Sequence, residues 1–231
     1  MNLIFNLVNE LEFLEPKISN LGSSMESLQH QTVDYTFKIL VVGNNSPGKT
    51  SLIKRYVYDF FSHAHRSTAG FDLAMKIIQY DEQTNVKLMF WDAPGGDRID
   101  SQTNMLYRGA VGAFVMFDAS QPDTLLSVVA WKEELDTKAS RKGKAKIPCI
   151  LLANKCDLME ITEADEEAVK KFAENYGFIG CLYTSSKDNF NIDQAARLLV
   201  AEILCRLGRD LEQSRKQKDI KSGILRKLFL L

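Results

Sequence analysis

Cysteine is scarce in this chain of 231 residues. Cys149, Cys156, Cys181 and Cys205 form no CxxC pair, which excludes a disulfide scaffold and fits a reducing compartment. Histidine is scarcer still, and His30, His63 and His65 show no metal-ligand spacing. There is no excess of charge: 29 Lys and Arg against 30 Asp and Glu leave a net charge of -1. That balance argues against a nucleic-acid binder working through bulk charge. No apolar run approaches the roughly 18 residues of a membrane-spanning helix. The first residues lack a basic segment and a small-residue cleavage site, so a secretory signal is not expected. No internal repeat is visible. What is present, 45% hydrophobic and 26% charged residues, is the balance of an ordinary globular chain with a sizeable core.

The ends differ from the middle. In residues 1–15, Ile4, Leu7, Val8, Leu11 and Leu14 have helical spacing on one face. Such a helix would pack on its own domain, or bind a partner or a membrane surface. Pro16 ends it, and residues 19–32 read as a polar linker. From about Gly208 the chain mixes Lys216, Lys218, Lys221, Arg226 and Lys227 with Ile220, Ile224, Leu225 and Leu228. Basic and apolar residues together can meet an anionic membrane; a solvated tail is the alternative. The expected division is an extension over 1–35, a folded central domain over 36–206 and a basic and apolar tail over 207–231.

Between the ends, apolar runs at 37–42, 86–91, 111–117 and 147–153 alternate with helical patterns at 51–60, 123–138, 163–176 and 192–207. Strand–helix alternation predicts an α/β fold, a mostly parallel sheet covered on both faces.

The first strand meets Gly43-Asn44-Asn45-Ser46-Pro47-Gly48-Lys49-Thr50, a full match to GxxxxGK[ST] between a strand and a helix. Its glycines let successive N–H groups face one point, and the helix opening at Lys49 and Thr50, with Ser51 behind them, adds its positive end. Lys49 would neutralise terminal phosphates, and the Thr50 hydroxyl would reach Mg2+. Asp92, closing another strand, is a second candidate for Mg2+, and Gly95 could offer its N–H to a terminal phosphate.

Asn154-Lys155-Cys156-Asp157 follows the strand at 147–153. A fixed Asp157 carboxylate would accept from the ring N–H and amino group of guanine but would face a lone pair on adenine. Asn154 would meet guanine's acceptor edge, and the Lys155 stem would lie on the ring. In Thr184-Ser185-Ser186-Lys187 a backbone N–H near Ser186 could cap the base oxygen. All four loops close predicted strands, the last following the apolar stretch 179–183, and that is where α/β sheets bind ligands.

Through these motifs, residues 36–206 resemble the small GTPases, and among them the Rab family. The likeness is carried by WDAPG (91–95), LYRGA (106–110), VMFDAS (115–120) and CILLANKCDL (149–158). WKEELDTK (131–138) and NIDQAARLLVAEIL (191–204) look most like the Rab subgroup linked to lysosome-related organelles. The resemblance implies the P-loop small-GTPase fold, with six strands and helices on both faces. It implies a monomeric GDP/GTP switch with Mg2+ as cofactor, served by an exchange factor, a GTPase-activating protein and effectors. Thr68 would be the switch I threonine on Mg2+, Phe61 the aromatic against the base, and Gly95 to about Arg108 the second switch. Phe71, Trp91 and Tyr107 would form the effector surface, with Leu73 where an aromatic is usual.

The departures are specific. Gly96 stands where the family places the glutamine that orients the attacking water. Asn45 replaces a small residue, and Pro47 has no N–H for phosphate. The terminal prenylation cysteines are missing, the last cysteine being Cys205. The expectation is a switch that hydrolyses GTP slowly in vesicle or organelle traffic, in the cytoplasm or peripheral on endolysosomal or vesicle membranes without prenylation. A nucleotide-holding scaffold without turnover is the alternative.

Overall fold

The computed structural model describes residues 34–44, 47–62, 71–94, 104–139 and 145–228, with side chains of the last helix to Asp210. The expected N-terminal helix, Asn45, Ser46, His63, His65, Thr68, Gly95 and Gly96 lie outside the described residues.

Six strands form one sheet: β1 Tyr35–Val42, β2 Asp72–Gln79, β3 Asn85–Asp92, β4 Ala110–Asp118, β5 Cys149–Asn154 and β6 Gly180–Thr184. Their order is β2-β3-β1-β4-β5-β6. Every neighbouring pair is parallel except β2 and β3. The helices are α1 Lys49–Tyr58, α2 Asn104–Tyr107, α3 Ser127–Lys138, α4 Glu163–Asn175 and α5 Ile192–Leu228. Short 3-10 turns cover Pro122–Leu126 and Cys156–Leu158.

The continuous apolar run of β1 follows from its central place. Side chains alternate across a strand, and here both faces are covered. Phe37, Ile39 and Val41 join a core with Leu52, Ile53 and Tyr56 of α1 and with Ala195, Leu199 and Ile203 of α5. Leu40 and Val42 enter the opposite core with Val128, Trp131 and Leu135 of α3 and with Val169 and Ala173 of α4. Helix α4 starts at a capping box: Thr162 Oγ1 accepts from the Asp165 N–H, and the Asp165 carboxylate accepts from the Thr162 N–H.

Three features depart from the sequence reading. Strand β2 was not among the expected runs. The pattern over 123–138 is divided, a 3-10 turn preceding α3. Helix α5 does not stop at Leu207; its backbone continues through Gly208 to Leu228. The stretch beyond Leu207 is rich in Lys, Arg, Leu and Gln, straight-chain or γ-branched residues with high helix propensity, which outweigh Gly208 and Gly223.

Candidate functional site

Parallel strands deliver their following loops to one end of the sheet, and the order reverses beside β1. The loop after β1 turns at once because Gly43 has φ 147, and a Cβ there would lie 2.3 Å from the Met116 carbonyl oxygen. Gly48 has φ 90 before α1, and a Cβ there would meet Asn154 Nδ2 at 2.5 Å. Neither place tolerates a side chain.

Lys49, the first residue of α1, turns its side chain back over the loop. Its Nζ donates to the carbonyls of Gly43 and Asn44, both at 2.8 Å. Burial lowers its pKa to about 8, and the nearby Asp92 carboxylate opposes that shift. The lysine is thus held where the charge of a polyphosphate would raise its pKa again and favour the ammonium form.

Thr50 Oγ1 donates to Asp92 Oδ2 across the start of α1 and the end of β3. Asp92 is 2% exposed, and its Oδ1 has no hydrogen-bond partner among the described residues. Burial raises its pKa, opposed by the Thr50 hydroxyl and by Lys49. A buried, unpartnered carboxylate oxygen beside a hydroxyl fits a hard divalent cation, so Thr50 and Asp92 suit Mg2+. When bound, Mg2+ would offset phosphate charge at this point.

Asn154, at the end of β5, is 1% exposed. Its Nδ2 donates to the Pro47 carbonyl at 2.7 Å, and its Oδ1 accepts from Thr184 Oγ1 at 3.1 Å and Ser186 Oγ at 3.2 Å. Asn154 is thus a clamp joining the phosphate loop to both base-side loops, and its second Nδ2 hydrogen remains for the base acceptor expected of it. Asp157 is aimed by Ser185 Oγ, which donates to Oδ1 at 2.7 Å, and by Lys187 Nζ, 3.7 Å from Oδ2. Lys155 has a left-handed backbone with φ 65, and its Nζ pairs with Asp118 Oδ2 at 2.7 Å.

Two contributors escaped the sequence reading. Asp118 anchors the Lys155 stem and is itself held by the Ser120 hydroxyl and N–H. Its signal was available: like Asp92, it is an acidic residue closing an apolar strand. Trp131 of α3 donates from Nε1 to Asn44 Oδ1 at 2.8 Å, bracing the phosphate loop from 87 residues away. No local pattern announces that contact.

The expected effector residues do not form one surface. Phe71 is 44% exposed. Trp91 is half-buried, with Lys38 Nζ 3.8 Å from its ring centroid. Tyr107 is 1% exposed, packed with Leu106 in the core beside α3, so the described structure gives it a packing place and corrects its placement at the surface.

A family model described as the Ras family matches residues 38–205. The chain belongs to the Ras family. Within it the similarity runs to Rab proteins. The human Ras-related protein Rab-32 is 44% identical over 174 residues, covering 75% of this chain and 77% of that protein. The Dictyostelium discoideum Ras-related protein Rab-32A is 45% identical over 175 residues, 74% of this chain and 79% of its own length. The human Ras-related protein Rab-7L1 is 38% identical over 186 residues, 80% and 91% respectively. The chain is a Rab-type small GTPase, a GTP-binding molecular switch in membrane traffic. Among the described residues no helix is long and apolar enough to cross a membrane.

Proposed function

We propose that this Rab-type switch binds guanine nucleotide with Mg2+, hydrolyses GTP slowly, and therefore resides long in its GTP state. The observation that carries the binding half is Asn154: one buried amide joins the phosphate loop to the loops holding Asp157 and Ser186. Lys49, Gly43, Gly48, Ser51 and the N–H groups near Asn45, Ser46 and Gly95 would take the phosphates. Thr50, Asp92 and Thr68 would take Mg2+. Phe61, Lys155, Asp157, Ser185, Ser186 and Lys187 would enclose guanine.

The slow half rests on Gly96. Water must be oriented in line with the terminal phosphate, and a residue without a side chain cannot do it. The lifetime of the GTP state is then set by exchange or by a GTPase-activating protein that brings its own groups, and Phe71 and Trp91 belong to the face offered to effectors. The likeness to Rab-32 and Rab-7L1 supports work at endolysosomal or vesicle membranes, with peripheral contact through the basic and apolar residues after Gly208.

The test is single-turnover hydrolysis by purified protein loaded with GTP, beside Gly96→Gln. The variant is expected to hydrolyse at least roughly tenfold faster, a restored water-orienting group being the difference. Equal rates would overturn slow hydrolysis by this cause. Failure to retain GTP would overturn the guanine reading itself.

A further inference from the structure

Arg55 lies outside every motif above, in the last turn of α1, the helix that begins at the phosphate loop. Its guanidinium makes four hydrogen bonds. Nε donates to the Ser186 carbonyl at 2.9 Å, and Nη2 to the Lys187 carbonyl at 3.0 Å. Nη1 donates to the Asp59 carbonyl at 3.2 Å and to Asp59 Oδ1 at 3.0 Å. The Phe61 ring is 5.9 Å from the guanidinium carbon. The side chain is 17% exposed. One rigid fork therefore ties two segments that meet nowhere else in sequence: the turn carrying Phe61 and the loop carrying Ser186 and Lys187.

We propose that Arg55 is a positioning residue for recognition of the guanine oxygen, an inference that rests on the guanine-binding reading above. A trans peptide is planar, so its N–H points opposite to its C=O. Arg55 pulls the Ser186 carbonyl toward α1, which turns the Lys187 N–H of the same peptide away from α1. Fixing the Lys187 carbonyl as well removes the remaining rotation of this turn, and Ser186 Oγ on Asn154 pins its other side. The loop thus presents a preset N–H donor to a base oxygen. Asp59, at φ 50 as the cap of α1, is held by the same guanidinium, so the Phe61 wall moves with that donor. Lysine would not replace it: an ammonium is a point charge without the planar fork that reaches both carbonyls and Asp59 together.

The experiment measures displacement of a fluorescent GDP from the full chain with Mg2+ by GDP, by 6-thioguanosine diphosphate and by inosine diphosphate. The thio analogue replaces only the base oxygen by sulfur, a weak acceptor; inosine diphosphate lacks only the amino group that would face Asp157. In wild type GDP should outcompete the thio analogue by about tenfold, the value of a well-placed hydrogen bond to a buried site. Arg55→Gln should bring that ratio to within about twofold of unity and leave the ratio of GDP to inosine diphosphate within about twofold of wild type, with Arg55→Lys between. Thermal melting shows that each variant is folded. Equal loss against all three ligands would assign Arg55 a merely structural role, and unchanged affinity for all three would remove any role; both overturn the proposal. A wild type that binds GDP but ignores the sulfur also overturns it. A wild type that binds no guanine nucleotide would instead overturn the underlying reading, and the proposal with it.

Discussion

The Asn154 amide donates to the carbonyl of Pro47 at 2.7 Å, so the residue that opens the base-reading loop is fastened to the proline in the phosphate loop. The bond is buried at both ends and spans 107 residues of sequence. The proposed phosphate and base sites therefore share one polar network.

Removing that amide should damage both halves. Asn154→Ala leaves the Pro47 carbonyl and the Thr184 and Ser186 hydroxyls without their partner. A loss of about 2–3 kcal/mol in unfolding free energy is expected, the usual penalty for stranding buried polar groups. Denaturant unfolding reads that loss, and GDP affinity should fall with it. Asn154→Ala with wild-type stability would show that water replaces the amide.

The lowered pKa of Lys49 gives nucleotide binding a pH dependence. The phosphates bind the ammonium form and raise its pKa, so binding takes up a proton above the free value of about 8. Affinity for Mg2+-GDP should be flat from about pH 6.5 to 7.5 and fall as pH rises past 8, approaching tenfold per unit. The contribution of Lys49 to stability without nucleotide has the opposite slope. The unfolded chain, with the ordinary lysine value of 10.5, holds the proton longer, so this contribution to unfolding free energy should rise between about pH 8 and 10.5. Lys49→Met should abolish the first trend, as titration calorimetry would read, and the unfolding free energy of wild type minus that of the variant should rise across this range, shared groups such as Lys38 and Cys149 cancelling.

Pro47→Val returns an N–H to the phosphate loop and changes the carbonyl that Asn154 holds very little. A hydrogen bond to a charged phosphate contributes about 1.5–3 kcal/mol, so GDP release should slow by roughly tenfold or more. Stopped-flow release of a fluorescent GDP measures it, and an unaltered rate would mean that this N–H does not face the ligand.

The sequence was most legible where structure is local. The loop from Gly43 to Thr50 and the run Asn154 to Asp157 carry their geometry in adjacent residues, and strands buried on both faces declare themselves as apolar runs. Strand β2 did not, because its pattern is inverted. Leu73, Met75 and Ile77 are the exposed residues, while the inward positions are Ala74, Lys76 and Ile78. Partners far apart in sequence were equally hidden. Trp131 on Asn44, Asp118 under Lys155 and Arg55 across the base-side loop are set by tertiary packing that no local pattern encodes. Tyr107 looked like a surface aromatic from its motif, yet its position between β4 and α3 buries it.

Helix α5 runs unbroken for 37 residues. At 1.5 Å per residue, the 21 residues from Gly208 to Leu228 reach about 31 Å past the last turn that packs on the sheet. A flexible tether of that length would let the nucleotide domain wander through a volume around its attachment. A helical strut holds it at one distance, so whatever engages the far end also sets the standoff at which a partner must arrive to touch the switches.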